Sequence, residues 1–230
     1  MIFCSCKKNS TGPTLPSNTL LYDGFTYHTI TIPGAGTWTV ENARNTHFRN
    51  GDPIRKAQIS AEWKDSTNKK IAAKTSDTGA WCSNTNITDD QIPYGNLYNW
   101  CAIKDARGFA PAGWRVATED DFTKLKNALG NSAGHKLKSK RYWEGDADST
   151  KPNRDQYGFS ALPTGYCETG GSFNFPGIYA NFWSVVNGSN NAIIFQRLDK
   201  ASALINEVNN VDKLFGCSVA RFGLLRMIID

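Results

Sequence analysis

The chain has 230 residues and a formal net charge of +5, and 12% of its residues are aromatic and 20% charged. This composition excludes an intrinsically disordered protein, which has few aromatic residues and a high net charge. No apolar run approaches the roughly 18 residues that indicate a transmembrane helix. The 26 basic residues outnumber the 21 acidic ones by too little, and are too scattered, to indicate a nucleic-acid partner.

The first residues resemble the lipid-attachment box of bacterial lipoproteins. Residues 3–6 read F-C-S-C, a bulky residue and two small ones before the cysteine that carries the lipid. We therefore expect lipid attachment at Cys6, a flexible tether over residues 1–18, and a bacterial outer-membrane lipoprotein outside the cytoplasm, with exposure at the cell surface left open. The apolar part of a signal peptide would have to precede Met1, so the alternative is a cytosolic N-terminus with two unrelated thiols.

Four further cysteines, Cys82, Cys101, Cys167 and Cys217, are spread along the rest of the chain. None belongs to a C-x-x-C pair, so the usual spacings of zinc and redox sites are absent. Four cysteines allow three disulfide connectivities, and the sequence does not choose among them. Free buried thiols are the alternative.

Short extended segments open the folded part. Residues 27–32 and 37–40 alternate in polarity on either side of P-G-A-G, which predicts a hairpin. Residues 41–93 are polar and lack sustained periodicity, which indicates long structured loops.

One helix and a set of short strands follow. Thr118 is a good N-cap, three acidic residues come next, and Gly130 follows an apolar face, so a helix is predicted from Thr118 to about Leu129. Residues 114–116 read as a short strand ahead of it. Further short strands are predicted at residues 182–186, 192–198, 218–222 and 224–229. One or two helices with these strands predict a single α+β domain over residues 19–230.

The sequence carries no recognisable catalytic pattern. His28, His47 and His135 lie far apart and lack the spacing of a metal site, so satisfied or exposed histidines are expected. There is no G-x-S-x-G nucleophile motif, and G-A-G at residues 34–36 precedes no helix and indicates a turn. We therefore predict no enzyme, no cofactor and no metal.

Two polar stretches could bind an ion or a partner, but the sequence supports neither role strongly. Residues 146–155 offer several oxygen ligands for calcium but lack the order of an EF-hand loop, which favours a solvated loop. Residues 136–141 are rich in lysine and arginine, and the modest net charge favours a solvated face there as well.

Five motifs in order along the chain resemble one known family. They are W-T-V-E-N-A-R at residues 38–44, Y-G-N-L-Y-N-W at 94–100, P-A-G-W-R-V-A-T-E at 111–119, G-F-S-A-L-P-T-G at 158–165 and F-W-S at 182–184. Together, over residues 22–222, they resemble the Fibrobacter succinogenes major paralogous domain family. Trp38, Trp100, Trp114 and Trp183 each sit in one of these motifs, so we expect them to pack in the scaffold.

This resemblance implies a C-type-lectin-like fold, a secreted or lipid-anchored protein of Bacteroidetes or their relatives, and a role in binding or adhesion. Formylglycine-generating enzymes share that fold, but their catalytic cysteine pattern is absent here. The resemblance therefore does not imply their chemistry.

The C-terminal third resembles, more narrowly, the variable region of proteins diversified by retroelements. F-W-S-V-V-N-G-S-N-N-A at residues 182–192 and G-C-S-V at 216–219 carry this resemblance. Such proteins vary outward-facing side chains on a fixed scaffold. The tail departs from their pattern, because Ala220 interrupts the expected S-V-R, and simple divergence is the alternative explanation.

Residues 179–213 combine short strands with hydrogen-bonding side chains, a composition typical of adaptable binding surfaces. We expect this surface to bind a protein or a glycan, with the choice between them open, and contact with the membrane only through the lipid. The expected ligand-binding residues are Asn187, Asn190, Ile194, Gln196, Asp199, Lys200, Asp212 and Lys213. The alternatives are a structural or docking subunit of a bacterial surface assembly and an enzyme on a lectin-like fold.

Overall fold

The computed structural model describes most of the folded part of the chain. The described residues are 18–57, 79–83, 94–145, 150–168, 172–186, 193–209, 217–218 and 223–224. All statements below concern these residues.

The strands are short and are spread over the whole described chain. In chain order they are β1 (Thr19–Tyr22), β2 (Phe25–Ile32), β3 (Gly36–Thr39), β4 (Arg55–Lys56), β5 (Ala80–Ser83), β6 (Asn96–Tyr98), β7 (Trp114–Arg115), β8 (Tyr166–Cys167), β9 (Phe173–Asn174), β10 (Tyr179–Val185), β11 (Ile193–Asp199), β12 (Ile205–Val208), β13 (Cys217–Ser218) and β14 (Gly223–Leu224). The helices are α1 (Trp100–Lys104), α2 (Glu119–Leu129) and α3 (Ala133–Leu137), with a 3-10 turn at Gly130–Ser132.

These strands form two sheets and a separate hairpin. One sheet has the order β1-β2-β3-β14-β7, and the other has the order β12-β11-β10-β13-β6-β5-β4. Strands β8 and β9 pair with each other. The β10–β13 and β4–β5 pairs are parallel and the other pairs are antiparallel. The prediction of a mixed α+β chain with short antiparallel strands is confirmed.

Helix α2 has the boundaries that its sequence predicts. The Thr118 hydroxyl accepts a hydrogen bond from the Asp121 amide, and the Asp121 carboxylate accepts one from the Thr118 amide, which closes a capping box. Gly130 ends the helix with φ +69°. Phe122 and Leu125 lie on the buried face. The predicted hairpin is also confirmed, as strands β2 and β3.

Several predicted strands differ in extent from the observed ones. Strand β10 begins three residues earlier than expected, and β11 ends one residue later, at Asp199. The strands predicted at 218–222 and 224–229 appear as β13 and β14, and the rest of those segments lies outside the described residues. Helices α1 and α3, each five residues long, were not predicted.

The aromatic core joins residues from four of the five sequence motifs. Trp38 is 5.5 Å from Phe122 and 5.8 Å from Phe159, measured between ring centroids, and Phe159 is 6.3 Å from Phe182. A neighbouring cluster contains Trp183, Trp100 and Phe195, and the indole N–H of Trp183 donates to the Tyr98 carbonyl at 2.7 Å. The expectation that Trp38, Trp100 and Trp183 pack in the scaffold is confirmed, whereas Trp114 is half-buried.

The first two motifs also bind each other through the backbone. The Asn42 side chain donates to the Tyr94 carbonyl at 2.9 Å, and the Asn96 amide donates to the Ala43 carbonyl at 2.9 Å. Gly95 has φ +78°, and a Cβ there would lie 2.7 Å from the Cβ of Asn42. Only glycine fits this close approach, so the motif residues are needed for the contact itself.

The basic stretch at 136–141 is only in part the solvated face that the sequence predicts, because Lys140 and Arg141 are exposed whereas Lys136 and Lys138 are not. Lys138 is only 2% exposed, and its Nζ donates to three backbone carbonyls in the turn between β11 and β12. Lys136 is half-buried and donates to the Leu129 carbonyl at 2.8 Å. Helix α3 is hydrogen-bonded to this turn through the His135 amide and the Ala203 carbonyl. Lys136 and Lys138 therefore donate to backbone carbonyl oxygens instead of to water.

Within the described residues, every helix is too short or too polar to cross a bilayer.

Candidate ligand-binding surface

The residues predicted from the sequence to bind ligand divide into two groups. Ile194, Gln196, Asp199 and Lys200 lie on or beside strand β11. The remaining predicted residues, together with the proposed lipid-attachment cysteine, lie outside the described residues: Asn187, Asn190, Asp212, Lys213 and Cys6.

Ile194 and Gln196 have buried side chains, with exposed fractions of 5% and 0%. Alternate residues of a strand share a face, and these two share theirs with Leu198, whose side chain belongs to the core cluster around helix α2. The Gln196 amide donates to the Glu207 carboxylate at 3.2 Å. Burial therefore removes Ile194 and Gln196 from the candidate surface.

Asp199 and Lys200 are half-buried and form the turn that follows β11. The Asp199 carboxylate accepts a hydrogen bond from the Ala201 amide at 2.8 Å, and Lys138 binds the carbonyls of both residues. At about 3.4 Å per strand residue, Asp199 lies about 17 Å from Ile194. Ile194 and Asp199 therefore lie at opposite ends of strand β11, although both were expected to contact the same ligand.

A more coherent surface surrounds Arg197, on the opposite face of strand β11 from Gln196. The Arg197 Nε donates to the Asn181 side-chain oxygen at 2.9 Å, and Asn181 is fully buried on strand β10. Within the described part of the chain, neither terminal nitrogen of Arg197 has a hydrogen-bond partner. The guanidinium is therefore held at one nitrogen, while its other two remain available to a ligand.

Aromatic rings lie around this guanidinium. Its Cζ is 4.3 Å from the Tyr179 ring centroid and 5.8 Å from that of Tyr166. Phe175 completes the group, at 5.2 Å from Tyr179 and 5.7 Å from Tyr166, and is 43% exposed. We call Tyr166, Phe175, Tyr179 and Arg197 the Arg197 patch.

Backbone geometry fixes the position of Phe175. Its own φ is +58°, a left-handed conformation that is unusual for a large side chain. The loop carrying it packs on Gly165, where a Cβ would lie 2.2 Å from the Asn174 carbonyl oxygen. Gly165 has φ +66° and donates its amide to the Tyr179 carbonyl at 2.8 Å. Gly165, the last residue of the fourth motif, thus fixes the position of the loop that carries Phe175.

A separate cleft lies near the other end of strand β10. It has a volume of about 370 Å³ and is lined by basic and apolar side chains, among them Arg49, Lys104, Trp114 and Val185. Arg49 and Lys104 are exposed, and Val185 is the last residue of β10.

The histidines are satisfied by neighbours, as their sequence context predicts. His28 contacts Glu41 at 2.7 Å, and His47 contacts Asp23 at 2.9 Å. Burial alone would raise the pKa of Asp23, but hydrogen bonds from the Thr46 amide, His47 and the Thr46 hydroxyl outweigh it and lower that pKa. These two pairs join strand β2 and the turn before it to the segment that follows β3.

The described residues contain no cluster of three or more His, Cys, Asp or Glu side chains that could hold a metal ion. The loop at residues 146–155, for which a solvated loop was favoured over a calcium site, falls partly outside them. At its end, Asp155 accepts hydrogen bonds from the amide and hydroxyl of Ser160, and Asn153 is exposed.

The sequence did not reveal the patch because its four members lie on three different strands and on the loop that follows β9. The strand β11 sequence I-I-F-Q-R-L-D places one arginine within an apolar alternation, and Tyr179 and Asn181 alternate in the same way on β10. That alternation is the available signal, since it puts Arg197 and Asn181 on one face. The approach of Tyr166 and Phe175 depends on the hairpin β8–β9 and carries no local signal.

The five motifs and the contacts among them agree with a comparison against known families. Residues 32–208 match the Fibrobacter succinogenes major domain. The chain belongs to this family. The resemblance drawn from the motifs is therefore confirmed. No curated protein and no solved structure matches the chain.

Proposed function

We propose that this member of the Fibrobacter succinogenes major domain family is a non-enzymatic binding or adhesion protein, held outside the cytoplasm by a lipid on Cys6. In this proposal the Arg197 patch contacts a protein or glycan ligand. The observation that carries it is the half-buried Arg197 guanidinium, which is held by the buried Asn181 and lies near the rings of Tyr179 and Tyr166, with the exposed Phe175 beside those rings.

The composition of the patch favours recognition. Tyrosine and arginine are enriched among the residues that dominate binding energy at interfaces, and flat rings also suit stacking against sugars. The hydrogen bond from Arg197 to Asn181 holds the guanidinium before a ligand arrives, so less side-chain entropy is lost on binding. Asp199 is paired with Tyr179 across the sheet, so Asp199 and Lys200 border the patch.

We further propose that the fold is C-type-lectin-like, as the motifs imply, and that residues 179–213 are diversified. Two features support the second point. The buried Trp38, Trp100 and Trp183 belong to the motifs, whereas the patch residues lie outside them. The lipoprotein proposal is supported by F-C-S-C at residues 3–6 and by the family resemblance.

The cleft is a second candidate for the same ligand-binding role. Concave sites are the usual place for small ligands, and this one carries Arg49 and Lys104 at its rim. It also lies against Val185, immediately before the segment that contains Asn187 and Asn190.

The test is a binding screen of the purified full chain against a glycan array and, in parallel, against surface proteins of cohabiting cells. Each arm is run with and without calcium. We expect a hit on one arm, and we expect Arg197→Ala and Tyr179→Ala to weaken it by about 30-fold, the effect of a residue that dominates an interface.

Lys104→Ala is the matched control, because it removes an exposed basic side chain from the cleft instead of the patch. If Lys104→Ala abolishes binding and the patch variants do not, the cleft is the site and the patch assignment is refuted. Silence on both arms would count against ligand binding and favour the structural or docking subunit.

A further inference from the structure

Two cysteines that are far apart in the sequence meet in the core. Cys82 lies on strand β5 and Cys167 on strand β8, and both belong to one buried cluster with Ala57, Ala80 and Leu97. Their exposed fractions are 4% and 0%. The two thiols interact with each other, and both are free thiols in this structure.

We infer that Cys82 and Cys167 form a disulfide bond when the protein folds in an oxidising compartment. The sequence alone left this pairing undecided. Cys101 lies on helix α1 and is not part of this cluster. The inference does not depend on the proposed function, because it concerns the core and not the Arg197 patch.

The reaction is a thiol–disulfide exchange with a disulfide-bearing oxidant, either a small molecule such as oxidised glutathione or a protein. One cysteine thiolate attacks the oxidant, its S–S bond breaks, and a mixed disulfide forms with release of one thiolate. The second cysteine then attacks the mixed disulfide, and the second thiolate of the oxidant leaves. The protein loses two protons and two electrons, and the oxidant is reduced to two thiols.

Burial decides when this exchange takes place. Donation of the Cys82 S–H to Cys167, together with burial, raises the pKa of the Cys82 thiol, so Cys82 presents almost no reactive thiolate in the folded protein. Exchange is therefore expected during folding, before the cluster closes. The completed bond joins the seven-stranded sheet to β8, the strand that also carries Tyr166.

The direct test is peptide mapping. The full chain is refolded in a buffer of reduced and oxidised glutathione, its remaining thiols are alkylated under denaturing conditions, and it is digested without reduction. We expect a linked peptide pair that contains Cys82 and Cys167, with Cys101 alkylated. Alkylation of both Cys82 and Cys167, or a link from either to another cysteine, would overturn the inference.

A stability measurement gives a second readout. The bond closes a loop of about 85 residues, so reduction should lower the Tm of the refolded wild type by about 5 to 15 °C. Cys82→Ser should abolish this redox-dependent shift, whereas Cys101→Ser, the matched control, should keep it. Equal Tm values for reduced and oxidised wild type would contradict the expected constraint.

Discussion

Lys138→Met tests whether a buried lysine holds the turn beside the Arg197 patch. The Lys138 Nζ lies 2.8 Å from the Asp199 carbonyl oxygen and 3.0 Å from those of Lys200 and Ser202. Three acceptors match the three N–H donors of a protonated amino group. Methionine preserves most of the apolar stem, so the substitution removes the donors with little loss of packing.

The expected magnitude follows from two opposing contributions. Hydrogen bonds to a charged group contribute about 1.5 to 3 kcal/mol each, and the three carbonyls lose their donor together. Removal of the amino group also removes its desolvation cost, which amounts to several kcal/mol for a buried ion. We therefore expect the free energy of unfolding to fall by about 2 to 4 kcal/mol, and Tm to fall by about 5 to 15 °C.

Urea unfolding at neutral pH measures this change. Lys140→Met is the matched control, because Lys140 is exposed and lies two residues further along the same stretch, and it should alter the free energy by less than about 0.5 kcal/mol. Hydrogen exchange gives a local readout, since the Lys200 and Ser202 amides should exchange faster in the Lys138 variant. A Lys138→Met protein as stable as wild type would refute the reasoning.

Two further substitutions test the scaffold. Gly165→Ala should destabilise the protein by about 2 to 4 kcal/mol, because the added Cβ would clash with the Asn174 carbonyl oxygen. Gly158→Ala is the control: Gly158 has φ +72° but open space around it, so the substitution should cost only about 1 to 2 kcal/mol. Equal losses of stability in urea unfolding would rule out the steric clash. Although burial alone would raise the pKa of Asp121, the Arg115 and Thr118 hydrogen bonds lower it below 3.8, so wild type should lose stability as pH falls below about 4. Asp121→Asn should flatten that acid dependence, and an unchanged profile of urea midpoint against pH would contradict this assignment.

Local patterns in the sequence predicted those elements whose structure is decided locally. The capping box at Thr118 and Asp121, with an apolar stripe and Gly130 after it, defined helix α2 at both ends. The alternation around residues 34–36 likewise defined the hairpin of β2 and β3. In both cases the signals lie within one or two turns of chain, so no distant contact was needed to read them.

The features that the sequence did not reveal depend on contacts between segments that are far apart in the chain. Lys138 looks like a surface residue, and only its approach to the turn after β11 explains its burial. Gln196 also has a polar side chain that suggests exposure. It is buried because it shares its face of β11 with Leu198, which packs in the core cluster around helix α2. The contact between Cys82 and Cys167 depends on how the hairpin β8–β9 packs against the larger sheet.

The motif residues and the patch residues make different kinds of contact, and this difference explains why the scaffold suits recognition. The motif residues satisfy one another in the interior, as when Asn42 binds the Tyr94 carbonyl and the Trp183 indole binds the Tyr98 carbonyl. These contacts are buried and do not involve the rings at the Arg197 patch. The patch meets the motifs at two places: Gly165 constrains the backbone of the loop that carries Phe175, and Tyr166 packs against the core cluster that contains Trp100 and Trp183. The exposed Phe175 can therefore be replaced at a smaller cost to the fold than any buried motif tryptophan.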